Sequence, residues 1–387
     1  MSSPLTPSSS VIKDMKAKRL CLAYVFCGYA LALCAQCAVT PWETRGFVSA
    51  ALYLAAPMLT LFFGPYSLVP REAWIGSGTW WWIAQMLPLY VAHLAFVYGL
   101  LTQLSRGWRF FRRRWVRPVA TGLVACWSAL GIWFFIPVVE RHVMDVGEKL
   151  SGDSVRLVLV TDLHSCRYGK EQRGLVEMVE AQVPDLILLG GDIFDDRLPD
   201  ASTQSFVDNI AGHYPCVYVT GNHEYWSGRR DEMVQWLREN GVTVLEADCS
   251  SFDLRGTPID ICGVDDPTYI DKSRWEGLLE AAWGKSDPSH FRILLTHRPE
   301  CVGLYERFGY DLILAGHAHG GQWRLPFADV AAYAPNQFFF PRYSAGLYRL
   351  SVGSPMFISR GLARESTVAP RFFNHPEIVV FDLVKRN

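Results

Sequence analysis

The sequence predicts an α/β domain of layered sheets and helices, preceded by about four transmembrane helices. Four long runs in the first third of the 387-residue chain contain no Asp, Glu, Lys or Arg, at 20–40, 46–70, 73–105 and 118–139. After residue 155, short buried strands alternate with amphipathic helices, a pattern typical of α/β folds. Polar side chains able to bind metals follow several of those strands directly.

Each uncharged run is longer than the ~20 residues that a helix needs to cross a bilayer. In the third run we expect the span at 80–102, with the aromatic side chains of Trp80–Trp82 at the interface. Two alternatives explain the uncharged runs less well. Buried helices of a soluble domain would leave no polar face for water, and a signal peptide would not be followed by further spans. The expected organisation is a disordered tail (1–17), a membrane domain (18–140) and a soluble catalytic domain (150–387).

Charge leaves the membrane side of the soluble domain undecided. Basic residues cluster in the N-terminal tail and in the 105–117 segment, and four spans would place these two clusters on opposite sides. The rule that basic loops face the cytoplasm therefore contradicts itself. The formal net charge of −1 gives no whole-molecule case for a nucleic-acid partner, and none is expected.

The ten cysteines suggest no disulfide framework. Half of them lie in the uncharged runs, where we interpret Cys34 and Cys37 as small residues packing between helices. The soluble part holds an odd number without framework spacing, which predicts reduced thiols and favours a cytosolic location. These residues are Cys166, Cys216, Cys249, Cys262 and Cys301.

The elements of the soluble part follow from hydrophobic periodicity. Strands are predicted at 156–162, 185–192, 216–223, 242–247, 250–255, 259–264, 291–297, 311–317, within 345–359, and at 377–384. Helices are predicted at 168–182, 203–211, 231–240, 273–283 and 300–308. This order predicts layered sheets in which the carboxyl ends of several strands share one rim.

Metal-capable side chains recur where the predicted strands end. They are Asp162, His164, Asp192, Asn222, His223, His297, His317 and His319. Any one of them is easily explained as a polar cap or a turn residue. If the whole set were buried on one rim without cations, each unpaired group would cost roughly several kcal/mol.

Two divalent cations account for this set best. One ion cannot use seven side chains and a water, whereas two ions that share a carboxylate can. The predicted ligands are Asp162, His164, Asp192, Asn222, His297, His317 and His319, a set without thiolate that suits Mn²⁺, Fe or Zn²⁺. Such a pair of ions serves phosphoester hydrolysis. His223 would give the leaving group its proton, and Glu224 would orient that imidazole.

The G-H-A-H stretch at 316–319 is expected to serve both ions. In extended backbone, residues i and i+2 point to the same face, so His317 and His319 would both face the rim and each bind a different ion. Gly316, Gly320 and Gly321 would let the backbone turn tightly beside them.

Taken together, these motifs resemble the calcineurin-like metallophosphoesterase superfamily over residues 155–384. They are D-L-H (162–164), G-G-D (190–192), G-N-H-E (221–224), T-H (296–297) and G-H-A-H (316–319). The resemblance implies a four-layer αββα sandwich. It also implies Asp162, His164, Asp192 and His319 around one metal, and Asp192, Asn222, His297 and His317 around the other, with Asp192 bridging. The stretches at 320–327, 343–350 and 357–362 resemble a bacterial branch of membrane-attached phosphodiesterases.

Four more residues are candidates for the pocket. Arg298 and Arg360 would hold a substrate phosphate bidentately, with salt bridges as the alternative. Asp265 and Asp266 would line the pocket, with a turn before Pro267 as the alternative.

These features predict a membrane-anchored hydrolase of a phosphodiester or pyrophosphate that is lipid-linked or membrane-associated. The bilayer and that substrate are the expected partners, and the bacterial plasma membrane is the expected location. The resemblance also allows a UDP-2,3-diacylglucosamine pyrophosphatase of lipid A synthesis. A catalytically inactive membrane scaffold would lack ligands, and none is missing here. A transporter or sensor would need charged groups within the spans, and these runs have none.

Overall fold

The computed structural model describes residues 136–385 except 153, 323, 325–329, 332, 365–370 and 372, together with 115, 116, 118–123, 126 and 134. The chain divides into two compact units, 1–132 and 133–387. The predicted tail and the predicted spans at 20–40, 46–70 and 80–102 lie outside the described residues. Within the described residues, no helix has both the length and the apolar character needed to cross a bilayer.

The fourth predicted span, 118–139, is described only in part. Residues 118–123 are helical, but Val138 and Val139 already belong to a strand that pairs with residues near the C-terminus. The second unit therefore has an edge strand that the sequence did not predict, because its alternating exposed and half-buried residues follow directly on an apolar run.

The second unit contains fourteen described strands and six described α-helices. The strands are β1 (Val138–Asp145), β2 (Ser154–Val160), β3 (Leu186–Gly190), β4 (Cys216–Val219), β5 (Thr243–Val244), β6 (Asp248–Leu254), β7 (Thr257–Gly263), β8 (Phe291–Leu295), β9 (Leu312–Ala315), β10 (Tyr333–Ala334), β11 (Phe338–Phe339), β12 (Gly346–Arg349), β13 (Pro355–Ile358) and β14 (Glu377–Val384). The helices are α1 (Arg173–Glu180), α2 (Ala201–Ala211), α3 (Asn222–Trp226), α4 (Arg230–Glu239), α5 (Lys272–Gly284) and α6 (Val302–Tyr305).

Two six-stranded sheets and a small hairpin organise these strands. The first sheet has the order β1-β14-β2-β3-β4-β5, and β2 to β5 run parallel. The second has the order β12-β13-β9-β8-β7-β6, with β7, β8, β9 and β13 parallel and antiparallel strands at both edges. Every residue of β3, β4 and β9 is buried, as expected for parallel strands covered on both faces.

Three apolar cores stack these elements into four layers. The central core joins the facing sides of the two sheets, for example through Leu157 and Leu188 of the first and Ile293 and Leu314 of the second. An outer core packs α1, α2 and α4 on the first sheet, and another packs α5 and α6 on the second. The arrangement is the α/β sandwich that the resemblance implied.

The cysteine prediction was wrong for one pair. Cys249 and Cys262 form a disulfide, while Cys166, Cys216 and Cys301 form no disulfide within the described part of the chain. The two bonded residues lie directly opposite each other in the antiparallel β6–β7 pair. Their pairing depends on strand register, which side-chain spacing along the sequence does not reveal.

Candidate metal centre

Both sheets deliver the predicted ligands to one place. From the first sheet come Asp162 and His164 after β2, Asp192 after β3, and Asn222 at the start of α3. From the second come His297 after β8 and the pair His317 and His319 after β9. Their ligand atoms form two groups in which all atoms lie within 4.8 Å of one another, Asp162–His164–His319 and Asp192–His297–His317. Each group contains three of the four residues that the resemblance implies around one metal.

The carboxylate of Asp192 joins the two groups. Its Oδ2 atom lies 3.5 Å from Nε2 of His164 and 3.0 Å from Nε2 of His297, so one oxygen approaches an imidazole of each group. Asp162 closes the first group, with Oδ1 3.7 Å from Nε2 of His319. This geometry suits a carboxylate that bridges two cations.

Six of the candidate ligand residues each have a buried polar atom that makes no hydrogen bond in the described structure. These atoms are His164 Nε2, Asp192 Oδ2, Asn222 Oδ1, His297 Nε2, His317 Nδ1 and His319 Nδ1. Each such group costs about 1–3 kcal/mol when it is buried unsatisfied. Divalent cations that accept lone pairs would satisfy Oδ2 of Asp192 and the five other atoms, so the residues fit divalent metals.

Hydrogen bonds to the opposite ring nitrogens prepare two imidazoles for this role. His297 Nδ1 lies 3.0 Å from the carbonyl oxygen of Gly190, and His164 Nδ1 lies 3.1 Å from Oδ2 of Asp195. When Nδ1 carries the proton in these contacts, Nε2 presents its lone pair to the centre. The acceptor Asp195 was missed by sequence analysis, although the pattern G-G-D-I-F-D-D places two further carboxylates just after Asp192.

The pKa shifts of the candidate ligands do not all favour metal binding. Burial would lower the pKa of His297, but Asp192 raises it to about 10, so a metal must displace a proton from this imidazole. Burial lowers the pKa of His317 and His319 well below the ordinary range, which favours the neutral form that a metal ligand needs. Burial opposes ionisation of Asp192, but the surrounding imidazoles, above all His297, hold its pKa well below its ordinary value. The bridging carboxylate is therefore ionised at neutral pH.

The backbone at most ligands is left-handed. The φ angles are 50° at Asp162, 49° at His164, 50° at Asp192, 65° at His317 and 47° at His319. Non-glycine residues adopt this conformation at an energetic cost and are concentrated at functional sites. The expectation that His317 and His319 lie in extended backbone was therefore wrong. They reach different groups because a left-handed residue and a 3₁₀ turn (His319–Gly321) replace the strand.

Two glycines allow the backbone to pass beside the aspartates. A Cβ atom on Gly221 would collide with Oδ1 of Asp192, and one on Gly316 would lie 2.6 Å from Oδ2 of Asp162. Sequence analysis assigned Gly316 to a tight turn, and the structure gives it this closer steric role.

His223 lies at the centre, but Glu224 does not orient it. Nδ1 of His223 lies 2.6 Å from Oδ1 of Asp196, and the side chain of His223 is 20% exposed. Glu224 instead accepts hydrogen bonds from the backbone N–H groups of Asp192, Ile193, Phe194 and Gly221. The two side chains leave α3 in different directions because adjacent residues of a helix do not face each other.

The two arginines predicted to bind substrate are both engaged by carboxylates. Arg360 contacts Glu377 and Glu140, the salt-bridge alternative. Arg298 is buried and binds Asp266 through Nε and Nη2, at 2.5 and 2.9 Å. Its Nη1 atom donates to Nε2 of His317 at 3.0 Å, which leaves the proton of that imidazole on Nδ1. A metal can bind Nδ1 of His317 only if the imidazole proton moves to Nε2. This shift requires Arg298 to give up its hydrogen bond to Nε2.

The predicted pocket aspartates serve as supports. Asp266 holds Arg298, and Asp265 contacts Thr220 Oγ1 at 2.8 Å and Arg230 Nη2 at 2.6 Å. Asn374, which sequence analysis missed, donates to the carbonyl oxygen of His319 at 2.7 Å. No local motif marks Asn374, since it reaches the site from a distant part of the chain.

Comparison with known proteins agrees with this geometry. Residues 155–321 match the family of calcineurin-like phosphoesterases. An uncharacterized metallophosphoesterase of Helicobacter pylori is 30% identical over 239 residues, 60% of each chain. Phosphodiesterase YaeI of Escherichia coli is 27% identical over 235 residues, 59% of this chain and 82% of that one. A bovine transmembrane protein with metallophosphoesterase domain is 30% identical over 226 residues, 55% of this chain and 49% of that one.

The match over residues 155–321 agrees with the resemblance found in the sequence motifs, and the activity of the whole chain as a metal-dependent hydrolase is a proposal. The chain spans about 60% of the length of the Helicobacter relative. The membrane-attached bacterial branch stays a prediction.

Proposed function

We propose that this chain, which carries a calcineurin-like metallophosphoesterase domain, is a phosphodiesterase with two divalent metal ions and a membrane-associated substrate. The observation that carries the proposal is Oδ2 of Asp192, which lies between imidazole nitrogens of His164 and His297 among buried atoms that make no hydrogen bond.

The residues of the two groups would hold the ions, Mn²⁺, Fe or Zn²⁺. Asp162, His164 and His319 would bind one, and Asn222, His297 and His317 the other, with Asp192 shared. When bound, such ions activate a water and neutralise the charge that develops on the phosphoryl oxygens. Hydrogen bonds at Nδ1 orient His164 and His297, whereas Arg298 leaves the proton of His317 on Nδ1, and all three imidazoles are buried away from bulk water.

His223 is the residue that can protonate the leaving oxygen. Its Nδ1 atom is occupied by Asp196, which leaves Nε2 for proton transfer. Burial would lower the pKa of His223, but nearby carboxylates, first Asp192 and then Asp196, raise it to about 9. An acid catalyst needs this protonated form at neutral pH. The positioning residue for the imidazole is thus Asp196, in the place proposed for Glu224.

Two observations support a diester at a membrane. The similar Escherichia coli protein is named a phosphodiesterase, and the similar bovine protein is named a transmembrane protein. The four uncharged runs in the first third of this sequence favour membrane attachment of the domain. Attachment would keep the metal centre close to substrates that cannot leave the bilayer.

The test uses the purified full chain, stripped of metal by a chelator and reloaded with Mn²⁺, Fe²⁺ or Zn²⁺. We expect hydrolysis of bis-p-nitrophenyl phosphate to return with at least one ion and to exceed that of p-nitrophenyl phosphate. The variant His317→Asn should lose most activity, whereas His290→Asn, an imidazole remote from the ligand groups, should keep it. An absence of turnover with every ion would refute the enzymatic function and favour an inactive scaffold.

A further inference from the structure

An exposed aromatic hairpin stands beside the metal centre. It comprises β10, β11 and the residues up to Tyr343, and is called the Phe hairpin below. Phe338, Phe339 and Phe340 are consecutive and are 69%, 74% and 70% exposed. Exposed apolar residues are normal when they occur singly, but three adjacent phenylalanines form a patch that indicates an interaction surface.

The hairpin is held in shape by polar contacts. The side chain of Gln337 accepts a hydrogen bond from the backbone N–H of Tyr343 and donates one to the carbonyl oxygen of the same residue. Phe338 and Phe340 have left-handed backbones, with φ angles of 59° and 55°. Successive side chains of a regular strand point to opposite faces, so this irregular backbone is what exposes all three rings together.

A chain of contacts ties the Phe hairpin to the metal centre. Asn336 Nδ2 donates to Oε1 of Glu300 at 2.8 Å, and the same oxygen lies 3.6 Å from Nη1 of Arg298. That nitrogen in turn contacts Nε2 of His317. The aromatic patch is therefore linked through side-chain contacts to His317 of the metal centre. Anything that binds the patch is brought near that centre.

The charge around the patch suits an anionic lipid surface. Residues 330–350 include no Asp or Glu and two exposed cations, Arg342 and Arg349, while the carboxylates of Glu300 and Glu306 lie beside the hairpin. Aromatic side chains flanked by arginine are typical of segments that lie in the interface of anionic bilayers. The same chain contains four uncharged runs that are each long enough to cross a bilayer. A membrane is therefore the partner of the aromatic patch that agrees best with the sequence.

We propose that Phe338, Phe339 and Phe340 insert into the interface of a bilayer that contains anionic lipids. Arg342 and Arg349 contact the headgroups, and the hairpin holds the metal centre at the level of the headgroup phosphates. The substrate class that follows is a phosphodiester embedded in the bilayer by an acyl or polyprenyl chain. This inference rests on the proposed phosphodiesterase function and names the substrates to which that site has access.

Two matched substrates test the inference in the full chain reconstituted into nanodiscs of phosphatidylcholine and phosphatidylglycerol. Hexadecyl p-nitrophenyl phosphate inserts into the bilayer, and methyl p-nitrophenyl phosphate stays in water, but both contain the same scissile bond. For Phe338→Ser/Phe339→Ser/Phe340→Ser we expect the ratio of hexadecyl to methyl ester hydrolysis to fall about tenfold or more. The conservative triple change to Leu should restore most of the ratio, because it keeps the apolar area.

The outcomes of this test are distinct. If the ratio is unchanged by the serine variant, or if both substrates are affected equally, the hairpin has no membrane role and the inference is wrong. If the wild-type chain hydrolyses neither ester with any divalent ion, the proposed function fails instead, and a binding measurement that needs no catalysis decides about the hairpin.

That measurement is photocrosslinking from p-benzoylphenylalanine placed at Phe339 in the same nanodiscs. We expect a covalent lipid adduct at this position by mass spectrometry, and fewer adducts when phosphatidylglycerol is omitted. The control position is Val183, an exposed apolar residue that precedes β3 and so lies at the opposite end of that strand from Asp192. No lipid adduct at Phe339, or a crosslink to a second copy of the chain, would overturn the assignment to a bilayer.

Discussion

Two buried clusters of aspartate and histidine in the second unit differ in how their polar atoms are paired. The metal centre surrounds Asp192, and a second cluster surrounds Asp260 in the interior of β7. Asp260 accepts hydrogen bonds from Ser251 Oγ at 2.6 Å, His290 Nδ1 at 2.8 Å and the backbone N–H of Asp287 at 2.7 Å. Asp192 is equally buried, but its Oδ2 atom makes no hydrogen bond in the described structure.

The comparison shows that residue types alone do not identify a functional site. Asp260 and His290 satisfy each other and hold the start of β8 against its neighbours, which is a structural role. Around Asp192, several imidazole nitrogens make no hydrogen bond in the described structure, and the backbones of Asp192, His164, His317 and His319 are left-handed. Buried polar atoms that converge but remain unpaired indicate a site for a ligand, and a pair of cations is the ligand proposed above.

The largest effect that distinguishes the two clusters is expected for Asp192→Asn. An amide in place of the bridging carboxylate removes the negative charge shared by both ions, so we expect a loss of about 10³-fold or more in kcat/KM and loss of metal from both positions. The measurements are diester hydrolysis and metal content of the purified chain. Retention of two metals per chain would contradict the bridging role.

The next effect concerns proton donation by His223. We expect His223→Asn to retain metal and to lower kcat by about 10²- to 10⁴-fold for diesters with alkoxide leaving groups. The loss should be much smaller for p-nitrophenolate, which departs without a proton. A series of leaving groups measures this difference. An equal loss across the series would show that His223 serves binding or metal retention rather than acid catalysis.

The Asp260 cluster should respond in stability and not in metal binding. Asp260→Asn keeps one acceptor oxygen but weakens charge-assisted hydrogen bonds, which should lower the free energy of unfolding by about 1.5–3 kcal/mol. Denaturant titration measures this change, and metal content and diester hydrolysis below the transition serve as the control. Loss of metal in this variant would mean that the two clusters are coupled.

The smallest effect is a pH dependence of the free energy of unfolding. It arises at Glu140, which belongs to a third cluster in which Arg360 pairs with Glu140 and Glu377. A hydrogen bond with His142 and the charge of Arg360 lower the pKa of Glu140 from 4.5 to about 2. Because the folded state binds fewer protons, this stabilisation is complete above pH 4.5 and is lost as the pH falls from 4.5 toward 2. Glu140→Gln should flatten that part of the stability profile. An unchanged slope would exclude the contribution.

Sequence analysis succeeded where the signal was local. The strand β14 (Glu377–Val384) has the predicted bounds, and most other long elements differ from prediction by only a few residues. The metal ligands were identifiable because each follows a buried strand, and because the ends of parallel strands share one edge. The same reasoning extended the predicted strand 216–223 too far, since the backbone leaves β4 at Val219 and begins α3 at Asn222.

Several features required strand register or distant contacts. β1 lies near the start of the second unit and pairs with β14 near the C-terminus. Cys249 meets Cys262 only through the β6–β7 register. The roles of Asp195, Asp196 and Glu224 depend on the direction in which each side chain leaves its turn. The exposure of Phe338–Phe340 depends on left-handed backbone that the sequence pattern does not announce.

The sequence by itself determined the α/β class, the family resemblance and the candidate metal-binding side chains, because apolar periodicity and residues at strand ends are written into consecutive positions. Only the tertiary structure decided which atom each ligand offers, which carboxylate fixes which imidazole, and which arginines are already neutralised. Those properties depend on distances between residues far apart in the chain, and such distances exist only once the two sheets have packed together.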